Sequence, residues 1–242
     1  MERFINTLQF LTRISIKKDS SFDEEFHKGI VYFPIIGLVI GLILTSFYHL
    51  MNYFLPSAMG IVLTVIVYIM ITGGLHLDGL GDTFDGLYSN RPKERVLEIM
   101  KDSRLGTNAL LAIVLVIIIN IVALQNLDSG KLYRGLLLMP IMGRQALVLG
   151  CYRTNYAREE GMGNIYIGKV SKGQLWITLI TTMILSIIDL KTLIFLPLML
   201  IFVGWFKKTT ARLIGGMTGD TLGALCELSQ SLYLLFLVIQ IN

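Results

Sequence analysis

The sequence predicts an all-α protein, a multi-pass bundle of transmembrane helices with its amino terminus in the cytoplasm. Three observations predict it. Apolar residues make up 54% of the chain and charged residues only 16%, against roughly 25% charged in an ordinary soluble domain. Apolar runs lie at 31–55, 57–74, 108–127, 135–152, 175–189, 192–206 and 222–241, most near the ~20 residues that a bilayer-spanning helix needs. Basic residues crowd onto alternate connections between these runs. About seven helices are expected, with six to eight as the range.

In chain order, residues 1–30 place Phe4, Leu8 and Leu11 at helical spacing but are too short and polar to span, which predicts an interfacial helix. They also lack the apolar core of a signal peptide. Runs 31–55 and 57–74 form a helical pair. Within 75–107, Asn90 and Pro92 read as a cap and first turn of a short amphipathic helix carrying Val96, Leu97, Ile99 and Met100. Runs 108–127 and 135–152 follow. The fifth and sixth runs are short and separated only by Leu190 and Lys191, so they form a tilted hairpin or half-embedded segments, with Pro197 a site for a kink. The last run closes the bundle. No linker, repeat or low-complexity tract divides the chain, so residues 1–242 are read as one integral membrane domain.

Cytoplasmic connections are enriched in Lys and Arg. With the amino terminus inside, that side receives Arg3, Arg13, Lys17, Lys18 and Lys28, then Arg91, Lys93, Arg95, Lys101 and Arg104, then Arg153, Arg158, Lys169 and Lys172, and finally Lys207, Lys208 and Arg212. The opposite side receives only Lys131, Arg134 and Lys191. This topology puts the connections 75–107, 153–174 and 207–221 on one cytoplasmic face. It also assigns the net charge of +4 to membrane topology and not to nucleic acid.

Cys151 and Cys226 stand far apart in apolar surroundings, which suggests neither a disulfide nor a zinc site. The three histidines form no metal-binding spacing. The chemistry-bearing residues are elsewhere. His76-Leu-Asp-Gly-Leu-Gly-Asp-Thr-Phe-Asp-Gly86 carries Asp78, Asp82 and Asp85. On a helix their spacing puts them on one face, where neighbours lie about 5–6 Å apart between Cβ atoms. Like charges so close repel unless cations lie between them, and carboxylate oxygens suit hard ions such as Mg²⁺. Glycines 79, 81 and 86 leave room for a bulky ligand.

Lys101-Asp-Ser-Arg-Leu-Gly-Thr107 offers Lys101 and Arg104 to phosphate oxygens, with Asp102 and Ser103 beside them. Gly215-Gly-Met-Thr-Gly-Asp-Thr-Leu-Gly-Ala224 is a glycine-rich turn into the last helix. Asp220 there is either a site residue or a plain helix cap, and Glu227, seven residues on, shares its face. Arg144 sits inside the fourth run, where a lone charge requires a partner: a substrate phosphate, or an acid such as Glu227. Tyr152, Arg153, Asn155, Tyr156 and the Gly161-Met-Gly163 turn read best as an ordinary loop.

Together with Phe10-Leu-Thr-Arg13 and Phe33-Pro-Ile-Ile-Gly37, these blocks resemble the cobalamin synthase (adenosylcobinamide-GDP ribazoletransferase) family, in the family order and across essentially the whole chain. The resemblance implies a Mg²⁺-dependent enzyme of the cell inner membrane, its active site facing the cytoplasm. Such an enzyme joins adenosylcobinamide-GDP to α-ribazole or α-ribazole 5′-phosphate and releases GMP. Asp78, Asp82, Asp85 and Asp220 would hold the metal, with Asp82 and Asp85 catalytic and Asp82 favoured as base. Lys101, Asp102, Ser103, Arg104, Arg144, Thr218 and Glu227 would contact substrate. Its implied surroundings are membrane lipid and no nucleic acid, with a homo-oligomer or a complex with other corrinoid-assembly enzymes left open. Two rival readings are a CDP-alcohol phosphotransferase, whose Asp-Gly-x-x-Ala-Arg pattern is missing here, and a cation- or proton-coupled transporter, against which the clustering of acids at one face speaks.

Overall fold

The computed structural model describes residues 2–17 and 25–239. Residues 18–24, within the expected interfacial segment, and 240–242, at the end of the last apolar run, lie outside the described residues. The helices are α1 (Glu2–Leu11), α2 (Phe33–Phe54), α3 (Ser57–Thr72), α4 (Leu75–Leu87), α5 (Lys93–Ile99), α6 (Thr107–Gln125), α7 (Ser129–Cys151), α8 (Lys172–Ser186), α9 (Leu190–Ile214) and α10 (Gly219–Val238). Short 3₁₀ segments cover Phe26–Tyr32 and Met162–Ile165. All seven apolar runs are helical, as α2, α3, α6, α7, α8, α9 and α10.

Among the described residues, four helical stretches are long and apolar enough to cross a membrane: Phe26–Phe54, Thr107–Gln125, Leu190–Ile214 and Gly219–Val238. The α3–α4 pair makes a fifth, bent by 88°. On α6, Leu111, Leu115, Ile118 and Val122 are each about half exposed and line one face. A continuous apolar belt of this kind is a liability in water and the expected surface in hydrocarbon. By contrast α8, 15 residues at about 1.5 Å each, falls short of the ~30 Å hydrocarbon core, in keeping with a half-embedded segment.

Three local expectations need correction. Helix α9 continues to Ile214, so Lys207, Lys208 and Arg212 lie on its final turns and not in a loop; nothing in that stretch breaks a helix before Gly215, which takes the left-handed conformation that ends it. The 75–107 connection is largely helical, as α4 and α5. Asn90 does not cap α5: it takes φ 52 in the preceding turn, and Pro92 occupies the cap position.

Small residues set the packing. A Cβ on Gly37 would lie 2.7 Å from Cα of Ile141, and one on Gly41 would overlap the Leu137 carbonyl, so this Gly-x-x-x-Gly stripe on α2 lets α7 approach backbone to backbone. Helix α10 packs on α7, α4 and α6, and its middle is buried on nearly every side. Gly143 and Gly150 of α7 take the side chains of Gln230, Cys226, Leu222 and Leu225.

Helix α6 begins at Gly106, which has no side chain to cap it. The acceptor comes from α4: Asp85 takes hydrogen bonds from the backbone N–H of Gly106 at 2.7 Å and of Ala109 at 2.9 Å. A Cβ on Gly106 would collide with that carboxylate. Because a lost cap costs about 0.5–2 kcal/mol, Asp85→Ala is expected to lower the thermal midpoint of the detergent-solubilised protein, with Asp85→Asn, which keeps one acceptor oxygen, falling between. Equal melting of all three forms would show that the cap is idle.

Candidate active site

The sharp exit from α3 places the acids. Gly73 and Gly74 both take the left-handed conformation, φ 64 and 67, a pair that residues with a Cβ adopt only at a cost of roughly 1–2 kcal/mol each. Helix α4 therefore leaves at 88° to α3. Its glycines are pressed against neighbours on two sides: Gly79 meets the backbone of Asp220 and Gly86 meets Met100, while Gly81, on the other side, meets Ala109 and Ile113. The remaining face carries Asp78, exposed, with Asp82 and Asp85 half-buried.

The α4–α10 crossing is close enough that a Cβ on Gly79 would stand 2.8 Å from the Asp220 carbonyl oxygen, and one on Gly223 would stand 3.0 Å from that of His76. This crossing carries Asp220, at the start of α10, to the acids of α4. Of the charged groups around Asp82, Asp220 acts on it most strongly, followed by Asp78, Arg158 and Asp85. Thr218 caps α10 in a reciprocal box with Thr221, and its hydroxyl donates to Asp220 Oδ2 at 3.4 Å.

A loop delivers the cation that sequence reasoning missed. Tyr156 and Met217 form an isolated bridge, in which Ala157 N–H donates to the Met217 carbonyl and Met217 N–H to the Asn155 carbonyl, each at 2.9 Å. Gly216 permits it, since a Cβ there would overlap the Asn155 carbonyl. The bridge sets Arg158 against Asp220, Nη2 to Oδ2 at 2.6 Å. The Arg158 Nε is buried without a partner. In the sequence Arg158 was one more basic residue on a basic face, with nothing to single it out.

Of these groups, Asp78, Asp220 and Arg158 border a cavity of about 190 Å³, whereas Asp82 stands outside its lining. Asp78, Asp220, Arg158 and His76 form its polar side. A wider cleft of about 610 Å³, lined by Lys93 and Lys101 together with Glu94, Glu98, Glu159 and Glu160, shares Tyr156 and Arg158 with it. Burial raises the Tyr156 phenol above its ordinary range, which keeps it a donor at neutral pH; its hydroxyl bonds the Glu160 carbonyl at 3.1 Å.

The other expected site residues divide. Lys101 lines the wider cleft. Ser103 is exposed, and Arg104 pairs with Asp102 at the surface, 2.5 Å apart; the guanidinium holds the Asp102 carboxyl down to about 2, so the pair stays ionised at neutral pH. Asp85 has both oxygens engaged as the cap of α6, which sets it apart from Asp78, Asp82 and Asp220. Arg144 and Glu227 do not border the cavity. They lie buried in the bundle, where Tyr68 donates to Glu227 Oε1 at 2.6 Å, Gln230 donates to the Tyr68 hydroxyl at 2.7 Å, and Arg144 reaches Gln230 Oε1 at 3.4 Å. The expected alternative, an ion pair with Glu227, is not formed as a direct contact: among the described residues Arg144 hydrogen-bonds only Gln230, and its Nε and Nη2 and the Glu227 Oε2 are buried without hydrogen-bond partners.

The blocks thus meet at one place, and the same blocks tie the chain to known proteins. The sequence profile of the family described as cobalamin-5-phosphate synthase matches residues 3–238. The chain belongs to this family. Among similar proteins, one from Alkaliphilus metalliredigens named adenosylcobinamide-GDP ribazoletransferase is 53% identical over 239 residues, 99% of this chain and 96% of its own. Relatives of the same name from Clostridioides difficile and Acetivibrio thermocellus are 42% and 41% identical, covering 100% and 97% of this chain and 98% and 96% of theirs. No solved structure matches the chain.

The donor chemistry fits Mg²⁺. Asp78, Asp82 and Asp220 offer hard oxygens, and Mg²⁺ keeps several waters while binding one or two carboxylates together with substrate phosphates, so widely set acids suit it. Among the described residues, one group of three possible ligands has all its donor atoms within 4.8 Å: His76, Cys226 and Glu227. The buried Arg144 guanidinium already acts on both His76 and Glu227, which disfavours a further cation there.

Proposed function

We propose that the chain is an adenosylcobinamide-GDP ribazoletransferase of the cell inner membrane, amino terminus and active site facing the cytoplasm. It joins adenosylcobinamide-GDP to α-ribazole or its 5′-phosphate, releasing GMP. The observation that carries this reading is the meeting of Asp78, Asp220 and Arg158 around one cavity, with Asp82 beside these acids on α4, in a chain of this family.

The reaction forms a P–O bond from a ribose hydroxyl to the cobinamide-side phosphorus and breaks the pyrophosphate bridge, so that GMP leaves with the bridging oxygen. Asp78, Asp82 and Asp220 would hold Mg²⁺, which when bound neutralises charge on the attacking and leaving oxygens. Asp82, ringed by the other acids, takes the proton of the attacking hydroxyl. Arg158, with its unpartnered Nε between cavity and cleft, and Lys101 in the cleft receive the phosphates of the leaving nucleotide. The site's opening lets the large corrinoid remain outside while its pyrophosphate tail reaches in.

The test is GMP release from adenosylcobinamide-GDP and α-ribazole 5′-phosphate by the purified protein in detergent. Release is expected with Mg²⁺, and a loss of about 10²-fold or more on chelation, restored by added Mg²⁺. Full activity in excess chelator would remove the metal from the reading, and no release under any condition would remove the reading itself.

A further inference from the structure

The cavity has a second wall that the phosphate chemistry does not use. Phe10 of α1, Phe33 at the start of α2 and Tyr166 after the 3₁₀ turn border it together with Asp78 and Arg158. Their rings interlock: Phe33 meets Tyr166 at 5.1 Å between centroids, near edge-on, and Phe10 meets Tyr166 at 5.8 Å. Phe26 packs behind, 5.7 Å from Phe10 and 5.9 Å from Tyr166. Phe33 and Tyr166 are buried and Phe10 half-buried, so the wall is rigid before any ligand arrives. Leu75, Leu147 and Leu222 continue it.

We infer that this aromatic wall is the subsite for the base of the α-ribazole substrate. The inference rests on the proposed transferase reading. Two bases compete for the cavity. Guanine presents N–H donors and a carbonyl that must be paired once they leave water, and an unpaired buried polar group is costly. The wall offers such groups one partner, the Tyr166 hydroxyl, which is buried without a hydrogen bond, and leaves the rest of the guanine edge unpaired. The base of α-ribazole is a fused bicycle with methyl groups and no N–H donor, so stacking and apolar contact satisfy it fully. About 190 Å³ accommodates one bicyclic base and excludes a corrin ring. With the base on Phe10, Phe33 and Tyr166, its ribose shares the cavity with Asp78, Asp220 and Arg158, which is where the attacking hydroxyl is needed.

The test uses the full chain in detergent with each substrate varied in turn. Phe10→Ala is expected to raise the KM for α-ribazole about 10-fold, the loss typical of one base–aromatic stack, while the KM for adenosylcobinamide-GDP stays within twofold. Phe10→Leu, which keeps volume but loses the ring, guards against simple collapse of α1 and is expected to give an intermediate rise. With the wild-type protein, an adenine riboside is expected to show kcat/KM at least 10-fold below that of the methylated benzimidazole riboside. A rise confined to adenosylcobinamide-GDP would place guanine in the cavity and overturn the inference; so would unchanged KM values in both variants, or equal use of adenine and benzimidazole ribosides. Each of these requires normal GMP release by the wild type, whereas absence of release overturns the transferase reading instead.

Discussion

Asp82→Asn is expected to lower GMP release by about 10³-fold, with membrane insertion and melting close to those of the wild type. Asparagine has the shape of aspartate, so the α4–α10 crossing is undisturbed. What disappears is the carboxyl group on which Asp220, Asp78 and Arg158 all act, and with it both a hard oxygen ligand and the acceptor for the hydroxyl proton. Losing a single preorganised charge-stabilising group typically costs about 10²–10³ in turnover, and here one substitution removes two roles. The contrast with Asp85 sharpens the test, because Asp85 spends both oxygens on α6, and its variants are expected to lose stability along with activity. Steady-state GMP release at saturating substrates, beside size-exclusion profiles in detergent, measures both. Turnover within tenfold of wild type in Asp82→Asn would remove that residue from the chemistry.

Much of this molecule was readable in its sequence for a simple physical reason: a bilayer demands long unbroken apolar runs, and all seven runs are helices. The acids were readable because their spacing has the helical period and because charge beside an apolar run is rare without a use. What escaped was set by contacts between distant segments. Arg158 reaches Asp220 only through the Tyr156–Met217 bridge, and nothing local in the loop announces that pairing. The aromatic wall is assembled from three separate segments. Arg144 and Glu227 looked like site residues for a sound reason, being charged inside the membrane, but their depth along α7 and α10 places them beneath the cavity. Asp85 shares the face of Asp78 and Asp82, yet its position one turn nearer the end of α4 brings it to the bare amino terminus of α6, which claims it. The Gly37-x-x-x-Gly41 spacing is a general signal of close helix packing, but only the structure shows that α7 is the partner.

Gly79→Ala carries the second large effect, and it tests whether the site depends on the helix crossing more than on any side chain. The added methyl would sit 2.8 Å from the Asp220 carbonyl oxygen and 2.9 Å from its Cα. Both are backbone atoms, so no rotamer change relieves the contact and α10 must move away from α4. Overpacking of this kind costs about 1–3 kcal/mol, and in a helix interior alanine returns up to about 1 kcal/mol over glycine, so the net loss of stability is modest. Activity is expected to fall by about 10²-fold, because a displacement on the order of 1 Å between groups that must act together has that consequence: Asp220 and Arg158 shift as a pair away from Asp78 and Asp82. Gly81→Ala is the control on the same helix. Its methyl would meet the side chains of Ile113 and Ala109 at 3.1 and 3.2 Å, a tight contact on the α6 side that leaves the α4–α10 crossing alone, and its activity is expected within a few-fold of wild type. If both variants lose activity equally, the effect belongs to α4 as a whole; if Gly79→Ala turns over normally, Asp220 does not need its present distance from the α4 acids and its place in the site falls.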